Sequence, residues 1–288
     1  MESPRGAGNG RALEASENAS SAGARREPAV SRRVNAERLV LLGWSRAILL
    51  QLAHPLVAAG IHDHSNFRAR PRAAVRRLQH TVRAMLALTF GSEAERNRAL
   101  GNIRAIHRRV HGTLPVDVGP FPAGTRYSAE DPALVLWVHA TLLESLPAFY
   151  ERLVAPLTVG QRDAYCAEAA ATAIELGARP SDVPCSWAAL QDYIGRMHAS
   201  GEIVVGDQAR ELAAWILSPP FGLLGAPGAT VNRLLTLGTL PPAVRQQYAY
   251  VWTPRKERAF GVLVPALRSM RHALPDAMAT WRAARRHG

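Results

Sequence analysis

The sequence predicts an all-α protein, one globular domain of about eight to ten helices around a buried pocket. Apolar residues make up 48% of the 288 but aromatic residues only 6%, so the core has to come from Leu, Ala, Val and Ile. Alanine, leucine and arginine are among the strongest helix formers, and long runs such as 164–178 are rich in alanine. Clean period-two alternation is scarce, which leaves few candidate strands. The pocket is inferred from histidine placement. Seven of the ten histidines fall between His54 and His139, in segments that otherwise read as buried helix. Burying imidazoles costs free energy unless each finds a hydrogen bond or a metal, so the cluster points to a metal or haem site in a buried, haem-sized pocket.

Taken in order, residues 1–33 are poor in large apolar side chains and are expected to form a disordered tail ahead of a helical domain at 34–288. The Gly6–Gly10 run mimics a dinucleotide loop, but no strand precedes it. From Asn35 the positions of Leu39, Leu42, Ile48, Leu49, Leu52 and Leu56 mark one long helix or a pair broken at Pro55. The His62–Asn66 stretch reads as a turn. Pro71 opens a helix to Phe90, and Gly91-Ser92 begins another ending near Gly112. Residues 113–126, rich in proline and glycine, form a loop. Ser128 is expected to cap a helix running to about Leu153, with Asp131 answering it in the first turn. Thr158 and Gln161 form a capping box for a helix that stops at Gly177. Helices follow at 186–200, 206–217, 229–237 and 241–250, and Thr253-Pro254 opens the last.

The net charge of +12 raises nucleic acid as a partner, but much of it sits near the two ends of the chain, without aromatic platforms or a nucleic-acid motif. Cys166 and Cys185 give no disulfide framework, and the first residues lack an apolar signal core. The uncharged stretch 212–232 is long enough for a bilayer. Pro219, Pro220, Gly222, Gly225, Pro227 and Gly228 break it, so it reads as a helix end followed by an apolar loop. These features predict a soluble, cytoplasmic protein, with peripheral membrane contact as a further option.

Arg77, His80 and Thr81 share one helix face, where they either converge on an anion or a polar oxygen species or simply form a solvated stripe. His107 lies on or beside a buried stripe with Ile103, Ile106 and Val110 turned inward. His111 makes an HxxxH pair with it, but Arg108 stands where a zinc hydrolase needs glutamate. Two readings of His107 remain: a core histidine bonded to a carbonyl, or a haem ligand. His54 and His139 either support such a ligand or only pack. His62-Asp63-His64 is a weak metal candidate on the surface, and Tyr165 with Glu168 fixes helix contacts.

The order of these blocks carries more than any one of them. Gln51-Leu-Ala-His-Pro-Leu-Val-Ala-Ala-Gly60, His64-Ser65, the Arg77/Thr81 pair, Phe90-Gly91, the His107 helix, Tyr127–Pro132 and Trp137-Val-His-Ala-Thr141 follow one another as in a known family. Over roughly residues 36–250 the chain resembles the MpaB-type oxygenases, the helical family that includes the latex-clearing rubber oxygenases. The resemblance implies a haem b cofactor with His107 as the proximal iron ligand and Arg77 and Thr81 beside the haem. Where rubber oxygenases carry a lysine before that threonine this chain has His80, so the distal position falls to His80, to water or to nothing. His54 and His139 belong to the pattern of the shorter family members and are grouped with the cofactor-binding residues. The implied activity is O2-dependent cleavage of alkene bonds in a hydrophobic isoprenoid or lipid-like molecule, with Arg77 and His80 as catalytic residues. Its partners are that substrate and O2, with no nucleic acid and no stable protein partner. The substrate channel is expected along 212–232. The alternative is a non-catalytic haem- or lipid-binding helical module.

Overall fold

The computed structural model describes residues 29–64, 71–217 and 226–285. The expected tail therefore lies almost wholly outside the described residues. Its last few residues do not: helix α1, Val30–Ala36, starts before position 34. The Glu168 carboxylate accepts the Val30 and Ser31 amides at 3.1 and 2.7 Å, satisfying N–H groups that a helix start leaves open. Tyr165 donates to Asn35 at 3.3 Å, so this pair does fix helix contacts.

A 3-10 turn, Arg38–Leu41, leads into α2 (Leu42–Leu52) and α3 (Pro55–His64), and the chain bends by 110° between them. The bend sits at Pro55, which lacks an amide to continue the ladder. The His54 ring completes it: Nδ1 accepts the Leu56 amide at 3.3 Å. His62 and His64, expected in a turn, are the last residues of α3. Helices α4 (Pro71–Phe90) and α5 (Glu93–His107) form a packed hairpin, and a Ser92–Glu95 capping box opens the second.

Helix α5 stops at His107, short of Gly112. There His111–Thr113 (β1) pairs antiparallel with Arg126–Ser128 (β2) and clasps the ends of the expected loop. Helix α6, Pro132–Leu153, is capped by Asp131, whose Oδ1 accepts the Ala133 amide at 2.8 Å. Ser128 accepts from Glu130 instead, because strand pairing holds it a turn too early to cap. The Thr158–Gln161 box opens α7 (Val159–Glu175) as expected. The series continues with α8 (Trp187–Ala199), α9 (Asp207–Leu217), α10 (Ala226–Thr239), α11 (Pro242–Gln247), α12 (Pro254–Ala273), α13 (Asp276–Ala279) and α14 (Arg282–Arg285). Fourteen helices among the described residues exceed the eight to ten expected. The surplus includes short pieces such as α13 and α14, too brief to leave a period in the sequence.

Helix α6 is the axis of the core. Trp137, Phe149 and Leu153 are fully buried against Leu49, Leu50 and Leu52 of α2, with Leu212 and Leu217 of α9 and Leu235 and Leu237 of α10 in the same cluster. It is also long and apolar enough to cross a bilayer, but most of it is buried among its neighbours, and it forms the core here. The uncharged stretch 212–232 instead divides between the end of α9 and the start of α10, with 218–225 outside the described residues.

Candidate haem-binding site

Four of the expected site residues lie on the α4/α5 hairpin. Arg77, His80 and Thr81 lie on α4 and His107 ends α5. His80 and Thr81 are exposed, and the Arg77 side chain lies outside the described residues. On α5 the inward stripe is Arg96, Ala99, Leu100, Ile103 and His107, at the spacing of successive turns. Ile106 was expected inward and is not; it is 60% exposed, because the helix follows the four-residue step from Ile103 to His107.

His107 Nδ1 is sealed from solvent and has no hydrogen-bond partner. Burial holds the imidazole below its usual pKa, with Glu130 pulling weakly the other way, so the ring is neutral at physiological pH. A neutral, half-buried imidazole with an unsatisfied nitrogen is the state a metal requires of a histidine ligand. The carbonyl-bonded reading leaves that nitrogen unexplained.

His139 repeats the pattern on α6. Its Nε2 is buried without a partner, and burial pushes the ring down to about 4. The backbone beside it is pinned twice, since the Val138 carbonyl accepts from Thr141 Oγ1 at 2.8 Å and Gln51 Nε2 at 3.4 Å. Two separated sequence blocks, Gln51–His54 and Trp137–Thr141, thus meet at the α2/α6 contact.

His54 is different: its Nδ1 has a hydrogen-bond partner. Besides the Leu56 amide on Nδ1, Nε2 faces Glu202 at 3.6 Å, and the ring lies 5.3 Å from that of Phe121. Burial lowers its pKa to about 4, with Asp131 opposing. The structure therefore gives His54 Nδ1 a backbone partner and gives none to His107 Nδ1 or His139 Nε2.

The surface histidines form a lattice the sequence did not reveal. His62 contacts Asp63 at 3.0 Å through Nδ1 and Glu211 of α9 at 3.2 Å through Nε2. Buried Tyr127 donates to Asp63 at 2.7 Å, and His64 Nε2 donates to the His111 carbonyl at 3.1 Å. These nitrogens tie α3 to α9 and the clasp. Among the described residues no three His, Cys, Asp or Glu converge as a metal ion would need. The imidazoles with an unpartnered buried nitrogen stand singly, His107 at the end of α5 and His139 on α6. Two cavities of about 290 and 520 Å³ flank the clasp, one lined by Pro55, Ala58 and Gly206–Arg210, the other by His111, Tyr127 and Asp131; neither is lined by His107 or His139.

Comparison with known proteins decides the family. Residues 31–269 match the family described as ER-bound oxygenase mpaB/B'/Rubber oxygenase, catalytic domain. The chain belongs to this oxygenase family. Two relatives are 27% identical over 235 residues, covering 79% of this chain and 87% of each: the uncharacterized proteins Mb2261 of Mycobacterium bovis and Rv2237 of Mycobacterium tuberculosis. No solved structure matches significantly. The match spans α1 to α12, so His54, the α4/α5 hairpin and His139 all lie within the family's catalytic domain.

Proposed function

We propose that this protein is a haem b-dependent oxygenase that splits an alkene bond in a hydrophobic, isoprenoid or lipid-like molecule. The observation that carries the reading is the orphaned His107 nitrogen at the end of an inward helix face, within a chain of an oxygenase family. His107 would hold the iron. When bound, haem supplies the centre at which O2 is activated; both oxygen atoms end in two carbonyl fragments, so no further reductant is consumed.

The chain's own residues set the conditions. Burial keeps His107 and His139 neutral, so neither presents a cation to an apolar substrate. Arg77, His80 and Thr81 occupy one face of the helix packed against α5, where a cation and two hydrogen-bonding groups can orient a polar oxygen species. His80 is the proposed distal group. The uncharged stretch 212–232 is the proposed route for substrate. Leu223→Asp with Leu224→Asp should abolish turnover and spare haem content.

The purified protein supplemented with haemin should show a Soret band, and His107→Ala should lose it. No band in the wild type, or an unchanged band in the variant, would refute the assignment. Incubation of the ferrous protein with O2 and an isoprenoid alkene should release aldehyde or ketone fragments. A stable haem complex with no such product would leave a binding module.

A further inference from the structure

We propose that the outer face of α12 is a docking surface for an anionic lipid bilayer. This inference is independent of the haem reading. Helix α12 lies on α6 and α10, and it presses Phe260, Leu263, Val264 and Leu267 onto the core. Its opposite face should then be polar. Instead, no charged residue occurs between Arg258 and Arg268, and Val262, at the centre of the outward face, is 72% exposed. Met270 is 44% exposed at the far end of the helix, and Met278 is 60% exposed in the short helix that follows.

The charges around this face select the partner. Residues 251–285 hold seven Lys and Arg against two carboxylates, and of the seven only Arg271 is held in a buried pair, with Glu37. Both carboxylates are already engaged within the protein: Glu257 accepts from the Trp252 indole, and Asp276 accepts from Arg271 at 3.0 Å. Arg255 and Arg258 stand exposed before the apolar patch, and Arg268 stands exposed after it. Arginines at both ends of an exposed apolar helix face can reach phosphate head groups while the patch enters the acyl boundary. A protein interface would be expected to centre on Trp or Tyr anchors, and the outward face of α12 has neither. The excess positive charge also opposes pairing of two copies through this face.

The test is co-sedimentation of the full chain with vesicles of phosphatidylcholine alone or mixed with phosphatidylglycerol. Wild type is expected to pellet with the anionic vesicles and to be released by salt. Val262→Asp should weaken binding by about tenfold or more, because a carboxylate must enter the apolar boundary. Arg255→Ala, Arg258→Ala and Arg268→Ala should each cost about fivefold. Thermal melts of the variants should match wild type, since these side chains face outward. The proposal is overturned if wild type fails to bind anionic vesicles, or if Val262→Asp binds them as well as wild type does. It is also overturned if gel filtration shows a wild-type dimer that Val262→Asp dissociates while vesicle binding persists.

Discussion

Two nitrogens of the Arg46 guanidinium hold the two oxygens of Glu144, at 2.7 and 3.0 Å, inside the contact between α2 and α6. The same side chain donates to Ser145 Oγ at 2.7 Å and to the Thr239 carbonyl at 2.9 Å, so one buried cation joins α2, α6 and α10. All three nitrogens of the fork have a partner, which is the condition under which a buried charge is tolerated. Arg46→Met leaves Glu144 as an unpaired, mostly covered carboxylate and should cost about 3–5 kcal/mol in urea unfolding. Arg46→Met with Glu144→Leu should recover most of that loss.

That arrangement shows where sequence reasoning stops. An arginine within an apolar run reads as a solvated position, and its partner lies 98 residues away, where no period or spacing points to it. Local signals fared better. The Thr158–Gln161 box and the Pro55 break depend on neighbours a few residues off, and both formed where expected. Ile106 was misplaced because three- and four-residue steps both fit a helical stripe, and only packing chooses between them. The histidine pattern picked out His54, His107 and His139 alike and did not separate them. The distinction is which nitrogens have partners, and that exists only in three dimensions.

The depressed histidines fix a pH dependence. His54 and His139 titrate near 4 when folded, against 6.5 in an open chain. Below the unfolded value the open chain takes up protons that the folded chain refuses, so stability falls as pH drops from about 6.5 to 4 and is flat above. Each ring contributes a loss of at most about 3 kcal/mol. Urea midpoints of the cofactor-free protein should decline across that window, and His54→Gln should flatten the decline.

Glu37 and Arg271 bring the two ends of the described chain together, with Nε and Nη2 each donating to a different carboxylate oxygen at 2.6 Å. Glu37 is 6% exposed, so the pair is desolvated. Glu37→Ala and Arg271→Ala should each destabilise by about 3 kcal/mol, and the double variant by little more than either. Additive losses in the double-mutant cycle would show that the two side chains act separately.

Tyr127 links the clasp to α3 through Asp63. Burial works against the Asp63 carboxylate, but hydrogen bonds from His62 and Tyr127 outweigh it and hold its pKa below the usual range. The contribution is therefore present at neutral pH and lost as pH falls through the folded value. Tyr127→Phe should cost about 1–2 kcal/mol at pH 7 and less in acid. Gly112→Ala should do similar damage, because a methyl there would lie 2.5 Å from the Tyr127 hydroxyl.

His139 offers the sharpest contrast between stability and function. Its Nε2 is buried and unpartnered, which costs the folded state about 1–3 kcal/mol against a well-packed apolar side chain. If the ring only packed, leucine would serve better. His139→Leu should thus raise the urea midpoint of the cofactor-free protein. If His139 answers the haem, the same substitution should weaken haemin uptake in a titration and shift the Soret maximum of what remains. A more stable variant with unchanged haemin affinity and spectrum would remove His139 from the cofactor site and leave His107 alone there. A variant that gains stability and loses haem would show that the chain keeps a poorly satisfied imidazole in its core for the cofactor.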